Sequence, residues 1–238
     1  MVLIPLIALL AAIVKSATGF GLALVVVGLG AVAIGPQHAI PLAALLDVAT
    51  GLALLHQTRA RRRPAVWRPM AVAMGTGSLV GALLFARVDA EHLVAPIGVI
   101  VLVSAVLLTI VRRREQPRER RGLSPSVGIG VAGLGGVLGG LFGPGGPPVV
   151  IAATLAYDKA DFRALLAPVF LVAAVVRSVT YVATGTMTAT AALGAVLALA
   201  VLPIGAWIGG WLHGRLSEPA FDVLVAALLV GTGLRLLW

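Results

Sequence analysis

The chain contains no cysteine and carries little charge, and each shortage excludes a class of function. Without cysteine it cannot form disulfides, bind metals through thiolates or use a cysteine nucleophile. Only 11% of its 238 residues are charged, whereas 60% are hydrophobic, and the mean hydropathy is +1.07. Soluble domains carry about 25% charged residues. We therefore interpret the chain as an integral membrane protein.

Motifs of membrane enzymes are also missing. The sequence contains neither H-E-x-x-H nor G-x-S-x-G, and its apolar segments hold no group of histidines or acids suited to a metal. We therefore predict that the protein is not an enzyme and needs no cofactor or metal.

The net charge of +9 comes mainly from arginines in short loops, as expected of a membrane protein. Residues 59–68 hold five arginines and residues 112–121 hold six, in short loops that flank apolar segments. Such loops are typical of the cytoplasmic side of a membrane protein. The basic character therefore predicts membrane orientation rather than nucleic-acid binding.

Glycine-rich stretches interrupt a long apolar run in each half. Residues 2–35 would form a helix of about 50 Å, far longer than a hydrocarbon core of about 30 Å, but the stretch Ser16–Gly21 divides them. The stretch Gly139–Pro148 divides the second run. Backbone groups freed by such breaks must be buried in protein or line a wet cavity. We predict two re-entrant hairpins, of the kind that forms substrate sites in transporters.

The predicted fold is an all-α polytopic membrane protein built from two repeats. Repeat 1 covers residues 1–111 and repeat 2 covers residues 125–238, with a cytoplasmic basic linker at 112–124. Each repeat has one hairpin followed by three spanning helices, which gives six spans and two hairpins. The predicted segments are a hairpin at 2–35 with spans at 40–58, 69–86 and 93–111, then a hairpin at 126–156 with spans at 164–183, 191–212 and 220–237. Eight spans are the alternative.

Charge indicates that the two repeats are inverted. The loop at residues 59–68 holds five arginines, but its counterpart at residues 185–188 holds none, so equivalent loops are expected on opposite sides of the membrane. Both termini would then lie outside. Glycines recur at corresponding positions, namely Gly19 with Gly143, Gly21 with Gly145, Gly77 with Gly205 and Gly81 with Gly209. The last two pairs predict close helix packing, either inside the bundle or in a homodimer.

Apart from histidines, three ionisable residues lie well inside apolar segments: Lys15, Asp47 and Arg177. A charge at membrane depth costs at least about 2.5 kcal/mol on insertion scales and marks a cavity, a partner or a functional site. We predict that Lys15 is the counter-charge to an anion, that Arg177 assists it, and that Asp47 carries a coupling proton. The alternative is a structural pairing of Asp47 with Lys15 or with Arg177.

The breaks supply further candidate contacts. A helix that begins after Gly21 or Gly145 presents unpaired N–H groups that attract an anion, and glycine permits close approach. Tight packing alone is the alternative reason for these glycines. The predicted substrate-binding residues are Lys15, Ser16, Thr18, Gly19, Gly21, Gly143, Gly145, Gly146 and Arg177.

The two breaks together resemble the duplicated signature of the TauE/SafE sulfite exporter family. The residues that carry the resemblance are Thr18-Gly19-Phe20-Gly21-Leu22 and Gly140-Leu141-Phe142-Gly143-Pro144-Gly145-Gly146. The order of hairpins, small-residue helices and basic linker extends it over nearly the whole chain. The resemblance implies a transporter of sulfite, sulfonates or related anions in a bacterial-type plasma membrane, linked to the proton gradient and directed to export.

The sequence therefore predicts a secondary carrier of a small sulfur-containing anion that works by alternating access. An anion channel, or a carrier for another small anion such as a carboxylate, is the alternative. The expected partners are the anion and the lipid bilayer, with a homodimer left open and no nucleic acid.

Overall fold

A computed structural model describes residues 3–18, 20–58, 64–113, 122–213 and 218–238. Within these ranges all eleven regular elements are α-helices, which confirms the all-α class. Gly19, the arginine-rich turn at residues 59–63 and most of the predicted linker lie outside them. The helices are α1 (Leu3–Thr18), α2 (Leu22–Ile34), α3 (Pro36–Gln57), α4 (Pro64–Phe85), α5 (Ala90–Arg113), α6 (Pro125–Phe142), α7 (Gly146–Ala156), α8 (Lys159–Ala183), α9 (Ala189–Leu199), α10 (Leu202–His213) and α11 (Glu218–Leu237).

Both glycine-rich stretches end one helix and begin another. Gly21 precedes α2 with φ of +92°, and Gly143 follows α6 with φ of +95°, conformations that L side chains rarely adopt. The helices on either side contact each other, α1 with α2 and α6 with α7. Val26 and Val27 of α2 and Val149 and Val150 of α7 are 0% exposed. The irregular backbone of the second break, at residues 143–145, is itself buried, as the membrane environment requires.

Five described helices are long and apolar enough to cross a membrane: α3, α4, α5, α6 and α8. The bent pair of α9 and α10 provides a sixth candidate span. This confirms a polytopic helical membrane protein. Of the four helices that flank the two glycine breaks, α1, α2 and α7 are shorter apolar helices. The fourth, α6, has 18 residues and a length of about 27 Å. Helix α6 is therefore long enough to cross a membrane by itself, which the hairpin prediction for residues 126–156 did not anticipate.

The single span predicted at residues 191–212 is divided into two helices. The axes of α9 and α10 are bent by 56° at residues 200–201. Pro203 explains this break, because proline has no N–H to donate to the carbonyl four residues earlier and its ring clashes with that carbonyl. Residue 199 is four positions earlier, and α9 ends there at Leu199.

Each half of the chain packs against the other through glycines that let backbones touch. An added Cβ at Gly81 of α4 would lie 2.9 Å from the Leu141 nitrogen of α6, and one at Gly205 of α10 would lie 2.8 Å from the Leu9 carbonyl of α1. Helix α4 of the first half therefore packs on α6 of the second half, and α10 of the second half packs on α1 of the first. The small-residue pairs predicted to pack helices do so inside the bundle. The opposite orientation of the halves in the membrane stays a prediction.

Candidate functional site

Asp47 is held between two cations from different parts of the chain. Its Oδ1 accepts a hydrogen bond from Lys15 Nζ at 2.9 Å, and its Oδ2 accepts one from Arg177 Nη2 at 2.5 Å. The three residues come from α1, α3 and α8, and Asp47 and Arg177 are 130 positions apart in the sequence. The sequence left open which cation pairs with Asp47, and both do.

Lys15 is also held by a hydroxyl. Its Nζ donates to Thr50 Oγ1 at 2.6 Å, and the Thr50 hydroxyl in turn donates to the Leu46 carbonyl one turn earlier on α3. A lysine ammonium has three donors, so two of them are engaged by α3. Thr50 was not among the predicted site residues, but its position one turn after Asp47 makes it part of the site.

Arg177 connects this group to the second glycine break. Its Nη1 donates to the Gly143 carbonyl at 3.1 Å and makes a longer contact of 3.4 Å with the Gly139 carbonyl. These carbonyls lie at the C-terminal end of α6, where the helix dipole favours a positive charge. Arg177 therefore joins the end of α6 directly to Asp47.

The three charged side chains are largely shielded from solvent, but each keeps some exposed surface. The side chains of Lys15 and Asp47 are 13% and 16% exposed, and that of Arg177 is 6% exposed. Two cations and one carboxylate leave one formal positive charge on the group. The Arg177 Nε is buried and has no hydrogen-bond partner among the described residues. A buried group with surplus positive charge and an unused donor is suited to an anion.

Tyr181 adds a second connection between α8 and α6. It is 0% exposed, and its hydroxyl donates to the Gly140 carbonyl at 2.5 Å. Its ring meets that of Phe85 edge-on with centroids 5.2 Å apart. The sequence did not assign Tyr181 to the site, although its spacing of four from Arg177 places both residues on one helix face.

The first glycine break is approached by the beginning of α8. Arg163 Nη2 contacts the Ser16 carbonyl near the C-terminal end of α1 at 3.4 Å, and the rings of Phe20 and Phe162 lie edge-on at 6.5 Å. Arg163 was not among the predicted site residues. Its proximity to the first break depends on tertiary packing that no local pattern encodes.

The hydroxyl and glycine candidates have different surroundings. Ser16 donates to the Ala206 carbonyl of α10, so its hydroxyl packs α1 on α10 rather than facing Asp47. The side chain of Thr18 and all of Gly19 lie outside the described residues. Gly21 lies beside Val14, whose Cγ1 would be 3.4 Å from an added Cβ.

The two helices that follow the breaks differ in the donors that they offer. The helix α7 begins Gly146-Pro147-Pro148, and the two prolines have no N–H groups. The helix α2 begins Leu22-Ala23-Leu24, in which every residue has one. The start of α2 is therefore the richer in anion-binding donors, whereas Gly145 and Gly146 offer fewer than the sequence analysis expected.

The described residues contain no group of three or more histidines and acids that could hold a metal ion. A family model, Sulfite exporter TauE/SafE, matches residues 4–236 of the chain. No curated protein and no solved structure matches it.

Proposed function

Because the chain belongs to the TauE/SafE sulfite exporter family, whose members are membrane transporters of sulfur-containing anions, we propose that it is a secondary carrier for sulfite or an organosulfonate. The observation that supports this most strongly is the surplus positive charge of Lys15, Asp47 and Arg177 within the bundle. An anion of small size would neutralise that charge at membrane depth.

Lys15 and Arg177 are the proposed counter-charges for the anion. Both already hold a carboxylate, and an arginine fork matches the oxygens of a sulfonate as it matches those of a carboxylate. The proposed backbone contacts come from the first break, at Thr18, Gly19 and Gly21, with the start of α2. Gly143, Gly145 and Gly146 would shape the second side of the site, and Ser16 would hold α1 in place.

Transport would proceed by alternating access between the two halves. In transporters with inverted repeats, one unit rocks against the other around a central site formed by discontinuous helices. Lys15 and Asp47 belong to the first half and Arg177 to the second, so relative motion of the halves changes the surroundings of the site. The proposed orientation has six crossings and a cytoplasmic linker, in a bacterial-type plasma membrane.

Asp47 is the proposed proton carrier, with export as the proposed direction. It is the acid of the buried charge group, and its carboxylate contacts both cations. A change in its protonation therefore alters the charge that the substrate meets. Transport is coupled to the proton gradient if Asp47 is protonated to different extents when the site is open to one side of the membrane and to the other.

The proposal is tested by a thermal-shift panel on purified protein. Sulfite, methanesulfonate, thiosulfate, sulfate and acetate are compared for the wild type and Lys15→Gln, since a ligand that binds only the folded state raises the melting temperature. We expect sulfite or the sulfonate to stabilise the wild type, with most of the shift lost in the variant. A cooperative melt that no sulfur oxyanion shifts would contradict the substrate class.

Counterflow in proteoliposomes then separates a carrier from a channel. A carrier loaded internally with the stabilising anion takes up the labelled anion transiently against its gradient, whereas a channel only equilibrates it. A stabilising effect of acetate alone would instead favour a carboxylate carrier.

A further inference from the structure

The carboxylate of Asp47 occupies the position between two cations that a substrate oxyanion would take. Its two oxygens contact Lys15 Nζ at 2.9 Å and Arg177 Nη2 at 2.5 Å. A sulfite or sulfonate group carries three oxygens on one sulfur, and two of them could bridge the same pair of donors. The bound carboxylate and the expected substrate therefore share one binding geometry.

The remaining donors cannot reproduce that bridge while Asp47 stays in place. Arg177 Nη1 is directed at the carbonyls of Gly139 and Gly143, and a second Lys15 donor is taken by Thr50. The unused Nε of Arg177 is buried. An anion that bridges the two donors now bound to Asp47 must therefore displace the carboxylate, although Lys15 keeps one further donor and Arg177 keeps its Nε.

We propose that Asp47 is a tethered competitor of the substrate, and that a proton added to its carboxylate opens the site so that one proton is bound with each anion. This inference rests on the proposed function, because it assumes that Lys15 and Arg177 bind the anion. The proton adds to a carboxylate oxygen and no other bond changes. The neutral acid no longer attracts the two cations, which are then free for the oxyanion.

The surroundings of Asp47 leave few other groups that could produce this effect. Among the residues that the structure describes, the charged groups in contact with Asp47 are Lys15 on α1 and Arg177 on α8, and the titratable Tyr181 lies one turn beyond Arg177. The helices α2 and α9, which pack against α3, contain no titratable residue, and α5 carries its ionisable residues only in its end turns. His38 lies nine positions before Asp47, where its Nδ1 contacts Thr188 Oγ1.

The proposal fixes the sign of the coupling. A proton that is bound with the anion moves in the same direction, so export is then driven by the concentration gradient of the anion, and an inward proton gradient opposes it. Because the proton and the anion favour the same state of the site, each increases the affinity for the other. Anion binding should tighten as the pH falls. If one proton is bound with each anion, the dissociation constant rises about tenfold per pH unit where free Asp47 is ionised. A site without the competitor would bind the anion equally at every pH.

The experiment is isothermal titration calorimetry of purified protein with methanesulfonate over a pH series. This probe stays a monoanion throughout, so any pH dependence comes from the protein. We expect the wild type to bind more weakly as the pH rises, and Asp47→Asn to bind independently of pH with the affinity that the wild type reaches at low pH. Asp89→Asn makes the same chemical change at an exposed turn and should retain the wild-type pH dependence.

A second readout needs no variant. Titrations in two buffers of different ionisation enthalpy report proton uptake, and we expect about one proton per bound anion. Binding that is independent of pH, or that occurs without proton uptake, would overturn the tethered-competitor proposal while leaving the anion site intact. Absence of wild-type binding at any pH, for methanesulfonate in calorimetry and for sulfite in the thermal-shift panel, would overturn the proposed function and this inference together.

Discussion

Arg177 and Tyr181 lie four positions apart on α8, and both donate hydrogen bonds to carbonyls at the C-terminal end of α6. Arg177 contacts Gly143 and Tyr181 contacts Gly140, at 3.1 and 2.5 Å. The second glycine break is thereby attached to α8 by one charged donor and one neutral donor. Because Arg177 also binds Asp47, the position of the break is linked to the charge group at the site.

Replacing Tyr181 by Phe should destabilise the protein and slow transport. The ring can still meet Phe85, but a buried carbonyl acceptor loses its partner, which costs about 1–3 kcal/mol. Melting in detergent and flux in proteoliposomes measure the two effects. Tyr157→Phe is the matched control, since the Tyr157 hydroxyl accepts from the Leu123 nitrogen outside the site. Equal transport by both variants would show that the Tyr181 hydroxyl has no role in transport.

Replacing Arg177 by Lys should impair stability although the charge is retained. The guanidinium spans Asp47 and two carbonyls, whereas a lysine ammonium is compact and cannot reach all of these positions at once. We expect a loss of about 1.5–3 kcal/mol from the lost charged hydrogen bonds, whereas the Gly139 and Gly143 carbonyls keep the backbone N–H groups of Gly143 and Gly145 as donors. Arg163→Lys, which affects one long contact to Ser16, should cost less. A melting temperature for Arg177→Lys at or above that of Arg163→Lys contradicts the prediction.

Replacing Gly143 by Ala tests the backbone geometry of the second break. The residue has φ of +95°, and an added Cβ would lie 2.6 Å from Val27 Cγ2. Gly185→Ala is a control for conformation alone, because Gly185 has φ of +72° but nothing within 4 Å of an added Cβ. We expect Gly143→Ala to lower the melting temperature further than Gly185→Ala does.

A double variant separates contact from conformation at Gly143. Adding Val27→Ala should restore part of the stability lost in Gly143→Ala, because it removes the side chain that the new methyl meets. A double-mutant cycle measures this coupling directly. If the effects of the two substitutions on the free energy of unfolding are strictly additive, backbone strain at the positive φ of Gly143 accounts for the whole loss of stability.

Replacing Gly140 by Ala should separate α6 from α4. An added Cβ would lie 2.6 Å from the Ala82 nitrogen, so the helices would have to move apart. Gly130→Ala on the same helix meets nothing within 4 Å and should be neutral or stabilising by up to about 1 kcal/mol, since alanine favours helix. Similar melting temperatures for the two variants would refute close packing at Gly140.

The sequence predicted the breaks and the charged residues because both have strong local signals. A lysine, an aspartate and an arginine inside apolar segments are costly unless they have partners, and a glycine-rich stretch inside an overlong run must interrupt it. The pairing of Asp47 with both cations could not be read from the sequence. It depends on three helices that meet only in the folded bundle.

Pro203 shows why the break between α9 and α10 was missed. Proline also lies inside α3, α4, α5 and α8, at Pro41, Pro69, Pro96 and Pro168, and those helices continue through it. Neighbouring groups in a membrane bundle can satisfy the backbone that proline leaves free. Proline alone therefore does not predict where a helix divides, and the outcome at Pro203 depends on its packing.

The contact of α1 with α10 has a consequence for biosynthesis. Ser16 donates to the Ala206 carbonyl 190 positions later in the chain, and Gly205 touches the α1 backbone. Helix α1 also packs on α2, but the part of its packing surface that α10 provides is missing until synthesis has reached α10. Final assembly of the first hairpin is thus a late event, completed only after synthesis has passed α10.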